Sequence, residues 1–119
     1  MTPAPSRLHQ KISISLLRFL VNYFKSASCE VYHAPFDVRL PSQPGEPSDD
    51  KIITVVQSDI CIICDSSKLD DKGCIGAPDL IIEIVSSGTA QKDVVEKFRI
   101  YEDAGVREYW LVYPEENPN

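Results

Sequence analysis

Two acidic side chains interrupt otherwise apolar segments of this 119-residue chain, and a lysine follows the second of them. Asp59 precedes the apolar run 60–63, and Glu83 divides the apolar run 80–85. A carboxylate in such a segment is costly unless it is paired or coordinates an ion. Hard divalent ions such as magnesium prefer carboxylate oxygens, and a lysine such as Lys97 can orient or deprotonate an attacking water and offset phosphate charge. The three side chains together suit phosphodiester hydrolysis; two hydrogen-bonded structural acids are the alternative.

A strand, a helix and a second strand must position these groups. Residues 80–85 predict a strand buried on both faces, and its period of two places Asp79, Ile81 and Glu83 on one face. A helix over residues 90–104 follows, with Thr89 as its N-cap, and a second strand covers residues 109–113.

The predicted second helix also fixes the position of Lys97. Val94, Phe98 and Tyr101 form its core stripe, and Gly105 ends it. Lys97 lies beside that stripe, so its ammonium can reach over the sheet edge toward the two acids. The alternative is a lysine whose stem packs along the core and whose ammonium stays in water.

The first half of the chain predicts a helix and several strands. Ser6 can cap a helix over residues 7–25, in which His9 is expected to be a surface or capping group. Short strands are expected at 29–33 and 36–40, and a longer one at 51–64 with a bend near Gln57 and Ser58. Polar loops are expected at 41–50 and 65–76. The apolar stripe of the first helix consists of Leu8, Ile12, Leu16, Phe19, Leu20, Tyr23 and Phe24.

These elements predict one mixed α/β domain over residues 1–119, with loose ends at 1–6 and 115–119. The net charge is −6, but residues 1–40 carry a net charge of +3 and residues 41–119 a net charge of −9. This distribution allows a local basic surface for nucleic acid. The absence of a long apolar run argues against a membrane span, and we expect a cytoplasmic protein.

The four cysteines allow a metal site or free thiols. Cys61, Cys64 and Cys74 have the spacing C-x2-C-x9-C, and Cys29 stands apart. Because Cys61 and Cys64 fall in a predicted strand, their side chains point to opposite faces, which disfavours structural zinc. We expect buried free thiols, and no disulfide framework in a chain without a secretion signal.

Several segments resemble a known family. They are Ser-Asp-Ile-Cys-Ile-Ile-Cys-Asp at 58–65, Ala-Pro-Asp-Leu-Ile-Ile-Glu-Ile-Val-Ser at 77–86, Asp-Val-Val-Glu-Lys at 93–97, and Gly-Val-Arg-Glu-Tyr-Trp-Leu-Val-Tyr-Pro at 105–114. The chain is similar over residues 8–114 to a large bacterial family of putative restriction endonucleases within the PD-(D/E)XK nuclease superfamily. This resemblance implies a restriction-endonuclease-like fold, a mixed sheet flanked by helices, and magnesium-dependent or manganese-dependent cleavage of DNA.

The resemblance also implies roles for individual residues. Asp59 and Glu83 match the two metal-binding acids, with the backbone carbonyl of Ile84 as a further ligand. Val85 occupies the usual position of the lysine, and Lys97 on the following helix is its match. Asp79 falls in the family's Pro-Asp motif and is a second-shell partner or an alternative ligand.

The length of the chain leaves a second functional class open. Relatives usually continue through more strands after the position of Asn119. Without those strands, the strand at 109–113 would be an exposed edge, which favours a homodimer. The alternative to a nuclease is a non-catalytic member of the fold that acts as a binding or assembly module.

Overall fold

The computed structural model describes residues 6–41, 52–86 and 91–114. Two α-helices and eight strands form in these segments, together with one 3-10 turn at Ser66–Lys68. The elements are, in chain order, α1 (Arg7–Tyr23), β1 (Glu30–His33), β2 (Asp37–Pro41), β3 (Ile52–Val56), β4 (Ile60–Ile63), β5 (Leu69–Asp70), β6 (Gly73–Ile75), β7 (Leu80–Ile84), α2 (Gln91–Ala104) and β8 (Glu108–Val112). The expected mixed α/β architecture is confirmed.

The first sheet has the strand order β1-β4-β7-β8. Strand β4 pairs antiparallel with β1 on one side and with β7 on the other. Strands β7 and β8 are parallel, with α2 as the connection between them. A parallel pair needs such a crossover, and the chain supplies it with the predicted strand-helix-strand unit.

The second sheet has the order β3-β2-β6-β5. Its β2–β6 pair is parallel, and Gly73 at the start of β6 lies against the backbone of Asp37 in β2. At that position φ is +135°, and a Cβ would collide with the Asp37 carbonyl oxygen. Glycine is therefore required where these two strands meet.

The core lies on both faces of the first sheet. On one face Leu20 of α1 packs on the side chains of β4 and β7 that point toward it. On the other face, buried residues from both sheets meet Tyr101 of α2, which is fully buried. The two buried groups are Leu20, Ile60, Ile62, Leu80 and Ile82, and Val38, Leu40, Cys61, Ile63, Cys74, Ile81 and Tyr101. Alternate residues of β4 and β7 thus face different layers, as period-two strands require.

The predicted elements match the observed ones with several differences. Residues 51–64 do break at Gln57–Asp59, and the two halves, β3 and β4, belong to different sheets. Ser6 caps α1 as expected, since its side chain accepts a hydrogen bond of 3.1 Å from the backbone N–H of His9. Gly105 follows α2 with φ +91°, as expected of a helix stop. Residues 42–50 of the predicted loop 41–50, the Thr89 cap, residues 1–5 of the expected loose end 1–6 and the loose end 115–119 lie outside the described residues.

Three expectations about packing and loops were wrong. Phe19 and Tyr23 are 57% and 71% exposed, because α1 turns Leu20 rather than these rings toward the sheet. Phe98 is 44% exposed and packs its ring on Tyr109 at the rim. The expected loop 65–76 contains β5 and β6, because β2 provides a distant strand for β6 to pair with.

The cysteines follow the free-thiol expectation only in part. Cys61 and Cys74 are free and buried, and burial raises the pKa of the Cys61 thiol to about 12. Cys29 and Cys64 instead form a disulfide across 35 residues of sequence, which corrects the expectation of free thiols. The reason is the register of β1 and β4. Glu30 faces Ile63 in that ladder, so the residue before one strand and the residue after the other also meet.

Helix α1 has 17 residues and helix α2 has 14. Within the described segments, neither is long and apolar enough to cross a membrane.

Candidate active site

Asp59 and Glu83 lie opposite each other on neighbouring strands. The β4–β7 register pairs Ile60 with Ile82, which places Asp59, one residue before β4, beside Glu83. The backbone N–H of Asp59 donates to Glu83 Oε1 at 3.0 Å, and the backbone N–H of Ile84 donates to Asp59 Oδ2 at 2.7 Å. Each carboxylate is thus held by the backbone of the other's strand. This reciprocal bonding fixes both acids at one end of the first sheet.

A bend before Asp59 brings it to this position. Ser58 is buried, and its hydroxyl donates to the carbonyl of Ile60 at 3.2 Å. This local bond lets the chain leave β3 and enter β4 in another sheet, with Asp59 at the corner.

Helix α2 contributes two donors to Glu83. The ammonium of Lys97 lies 2.7 Å from Glu83 Oε2, and the hydroxyl of Tyr101 donates to the same oxygen at 3.2 Å. Lys97 Nζ also donates to the backbone carbonyl of Gln57 at 3.4 Å. The predicted reach of Lys97 to the acids is confirmed, and its alternative position in bulk water is excluded.

Burial and the neighbouring Lys97 shift the pKa of Glu83 in opposite directions. Glu83 is 8% exposed, and burial raises its pKa above the usual value. The hydrogen bond and charge of Lys97 and the N–H of Asp59 oppose this rise, whereas the charge of Asp59 adds to it. The net direction is upward, so the protein does not fully compensate the ionised carboxylate. An added cation at this position would do so.

His9 lies beside the candidate site, which its sequence position did not lead us to expect. Its Nε2 lies 3.3 Å from Asp59 Oδ1, and its side chain is only 14% exposed. A signal was present, because His9 precedes Leu16 by seven residues and Leu20 by eleven, which places it on the buried face of α1. The expectation of a surface side chain was therefore wrong, although its backbone does take part in the helix cap.

Asp79 lies at the other end of β7 from Glu83. Its Oδ2 accepts a hydrogen bond of 2.7 Å from the backbone N–H of Cys64. Its backbone also bonds to Ile62 and Glu108 on the two neighbouring strands. The structure therefore does not bring Asp79 together with Asp59, and its described contacts join β7 to β4 and to β8.

The donor set suits a hard cation held with few protein ligands. Within the described residues, no three side chains among His, Cys, Asp and Glu are arranged to hold a metal ion. Magnesium commonly binds through one or two carboxylates and completes its shell with waters and substrate phosphates. Asp59 and Glu83 provide these carboxylates. Ile84 presents its N–H to Asp59, and the carbonyl of a strand residue points to the same side as its N–H.

The fold and these contacts define the class of protein. A mixed sheet with two opposed acids at a strand end and a lysine on the next helix is restriction-endonuclease-like and consistent with the PD-(D/E)XK superfamily. Comparison with known families gives the same result. The family Uma2, described as putative restriction endonuclease, matches residues 1–118, and the chain belongs to this family.

A solved structure supports the fold. The chain is similar to a putative nuclease belonging to DUF820 from Anabaena variabilis, with a TM-score of 0.70 and 20% sequence identity. The match covers 98% of this chain and 62% of that one, so the present chain spans less than two thirds of that protein's length. No curated protein matches the sequence.

Proposed function

We propose that this protein hydrolyses phosphodiester bonds of DNA in a magnesium-dependent reaction, with manganese as an alternative ion. The proposal rests above all on one observation: Asp59 and Glu83 are bonded reciprocally, and the Lys97 ammonium lies 2.7 Å from Glu83. The family assignment agrees with it, since the family is described as putative restriction endonucleases.

Three groups of the chain would hold the ion. They are the carboxylates of Asp59 and Glu83 and the backbone carbonyl of Ile84. The upward direction of the Glu83 pKa supports this assignment, because a cation would offset the cost of its buried charge. When bound, the ion supplies Lewis-acid polarisation of the phosphodiester and of the attacking water.

Lys97 would act on the water or on the phosphate. An ammonium has three donors, and the described contacts use two of them, to Glu83 and to the Gln57 carbonyl. The third donor is available to orient a water or to stabilise the negative charge that develops on the phosphate. Tyr101 would keep Glu83 in place, since burial raises the pKa of its hydroxyl and keeps it a neutral donor.

A cleavage assay with matched variants tests the proposal. Duplex and single-stranded DNA are incubated with Mg²⁺, Mn²⁺ or a chelator, and Asp59→Ala and Glu83→Ala are compared with the control Asp103→Ala, an exposed acid on α2. We expect metal-dependent cleavage that falls at least ~10²-fold in the first two variants and not in the control. Cleavage that persists in both variants would refute the assignment.

A second candidate function is a non-catalytic binding or assembly module. It is favoured by the net charge of −6, which opposes the approach of DNA, and by the presence of only two acids at the described site. A folded chain that cleaves no DNA with either ion would select this candidate.

We also propose a homodimer and a cytoplasmic location. Strand β8 has β7 as its described neighbour and lies at the end of the strand order, and Trp110 on it is 43% exposed. Such an edge can pair with a second copy. Light scattering at micromolar concentration should give twice the chain mass; a stable monomer would refute the dimer.

A further inference from the structure

His9 has a relation to Asp59 that the proposed function does not use. The two residues lie 50 positions apart in sequence, on α1 and before β4. His9 Nε2 is 3.3 Å from Asp59 Oδ1, and the imidazole is 86% buried between the helix and the sheet. A carboxylate can only accept hydrogen bonds, so the contact is favourable when Nε2 carries the proton.

The contact completes the fixation of the Asp59 carboxylate. Its Oδ2 accepts from the Ile84 N–H at 2.7 Å, and its Oδ1 faces His9. Groups from two different elements therefore contact the two oxygens and restrict the rotation of the carboxylate plane. A carboxylate offers about four lone-pair positions, so two of them stay available in directions that these groups determine. For Glu83, the Asp59 N–H at Oε1 and the α2 donors Lys97 and Tyr101 at Oε2 do the same.

The anchoring of His9 argues against an incidental contact. Its backbone N–H is bonded to the Ser6 cap, which fixes the first turn of α1. Its Nδ1 is buried and has no hydrogen-bond partner among the described residues. An apolar side chain would fill this place without a buried polar atom, so packing alone does not account for a histidine here.

We propose that His9 is a positioning residue that orients Asp59 for binding of a divalent cation, an inference that rests on the proposed function. Outer partners of metal-binding carboxylates hold the ligand in its binding orientation, and their loss typically weakens metal affinity 10–100-fold. His9 acts through Asp59 and needs no contact with DNA.

Calorimetry with Mn²⁺ alone tests the inference on the intact chain. His9→Phe retains a ring without a donor, and His9→Gln retains an N–H near the position of Nε2. We expect affinity for Mn²⁺ to fall about 10–100-fold in His9→Phe and to recover in His9→Gln. His33→Phe is the matched control, since His33 is exposed and its ring bonds to the Ala34 carbonyl; it should bind as the native chain does.

The outcomes separate this inference from the proposed function. Unchanged affinity in His9→Phe, with binding by the native chain, would overturn the role of His9 alone. A fall in both variants that follows a lowered unfolding temperature would also overturn it, because it would show a purely structural role. If the native chain binds no Mn²⁺, the proposed function fails and this inference fails with it. If His9→Phe does not fold, His9→Ala replaces it in the comparison.

Discussion

Lys97→Met removes the cation next to the buried Glu83 and keeps most of the lysine stem. The variant leaves Glu83 with the N–H of Asp59 at 3.0 Å and the hydroxyl of Tyr101 at 3.2 Å. An exposed ion pair contributes about 0.2–1 kcal/mol, and removal of one partner from a buried pair costs about 3–5 kcal/mol. The Lys97 side chain is 42% exposed and that of Glu83 is 10% exposed, so this pair lies between the two cases. We expect the free energy of unfolding to fall by about 1–3 kcal/mol at pH 7.

The fall in the free energy of unfolding of Lys97→Met should depend on pH. Lys97 lowers the pKa of Glu83 against burial, which raises it, so the variant should raise this pKa further. A raised folded pKa favours the protonated carboxyl, which needs no cation. The difference between the native chain and Lys97→Met should therefore be largest at neutral pH and shrink as the pH falls through the folded pKa of Glu83, which lies above 4.5.

Urea denaturation at several pH values measures this difference. Lys92→Met is the matched control, because Lys92 is exposed on the same helix. A double-mutant cycle with Glu83→Gln isolates the pair from other effects of the two substitutions. The reasoning is refuted if Lys97→Met and Lys92→Met unfold at the same urea concentration, or if the difference stays constant through the acid range.

The same substitution tests the proposed chemistry. Lys97→Met should lower any magnesium-dependent cleavage by ~10²-fold or more, as expected for a positioned electrostatic or proton-transfer group. Lys97→Arg should restore little activity, because a guanidinium stays protonated and has a different shape. Full activity of Lys97→Met would remove this residue from the mechanism.

Three further predictions concern the stability of the fold. Gly73→Ala should lower the free energy of unfolding by at least about 2 kcal/mol, because a Cβ would meet the β2 backbone at positive φ; thermal and urea unfolding measure the loss. The unfolded, non-reduced chain should show two reactive thiols and the reduced chain four; four thiols before reduction would contradict the disulfide. The double substitution Cys29→Ser and Cys64→Ser should lower the free energy of unfolding by about 2–4 kcal/mol. The hydrogen bond from Arg39 lowers the pKa of Asp70 below its usual 3.8. This pair therefore stabilises the fold above pH 3.8, and its contribution is lost as the pH falls through the folded pKa of Asp70. Asp70→Asn should remove that part of the pH dependence of the free energy of unfolding.

The sequence by itself determined the local elements and selected three candidate site residues. The apolar run 80–84, the stripe of α2 and the glycine stop after it gave a strand-helix-strand unit close to the observed one. The two acids were visible because a carboxylate in an apolar strand is costly and rare. The rotation of α2 then placed Lys97 near Glu83, since helical periodicity fixes which side chains accompany the core stripe.

Only the tertiary structure decided which distant residues meet. The β4–β7 register set Asp59 opposite Glu83, and the β1–β4 register brought Cys29 to Cys64. Strand pairing depends on partners far apart in the chain, and the sequence of a short segment does not by itself specify which strand it pairs with.

His9 shows the same limit at a single side chain. Its spacing placed it on the buried face of α1, but nothing in a helix specifies which part of a sheet that face covers. The packing of Leu20 on the first sheet decided this and brought the imidazole to Asp59. Periodicity gives the direction of a side chain relative to its own element, whereas its contact with another element depends on how the two elements pack.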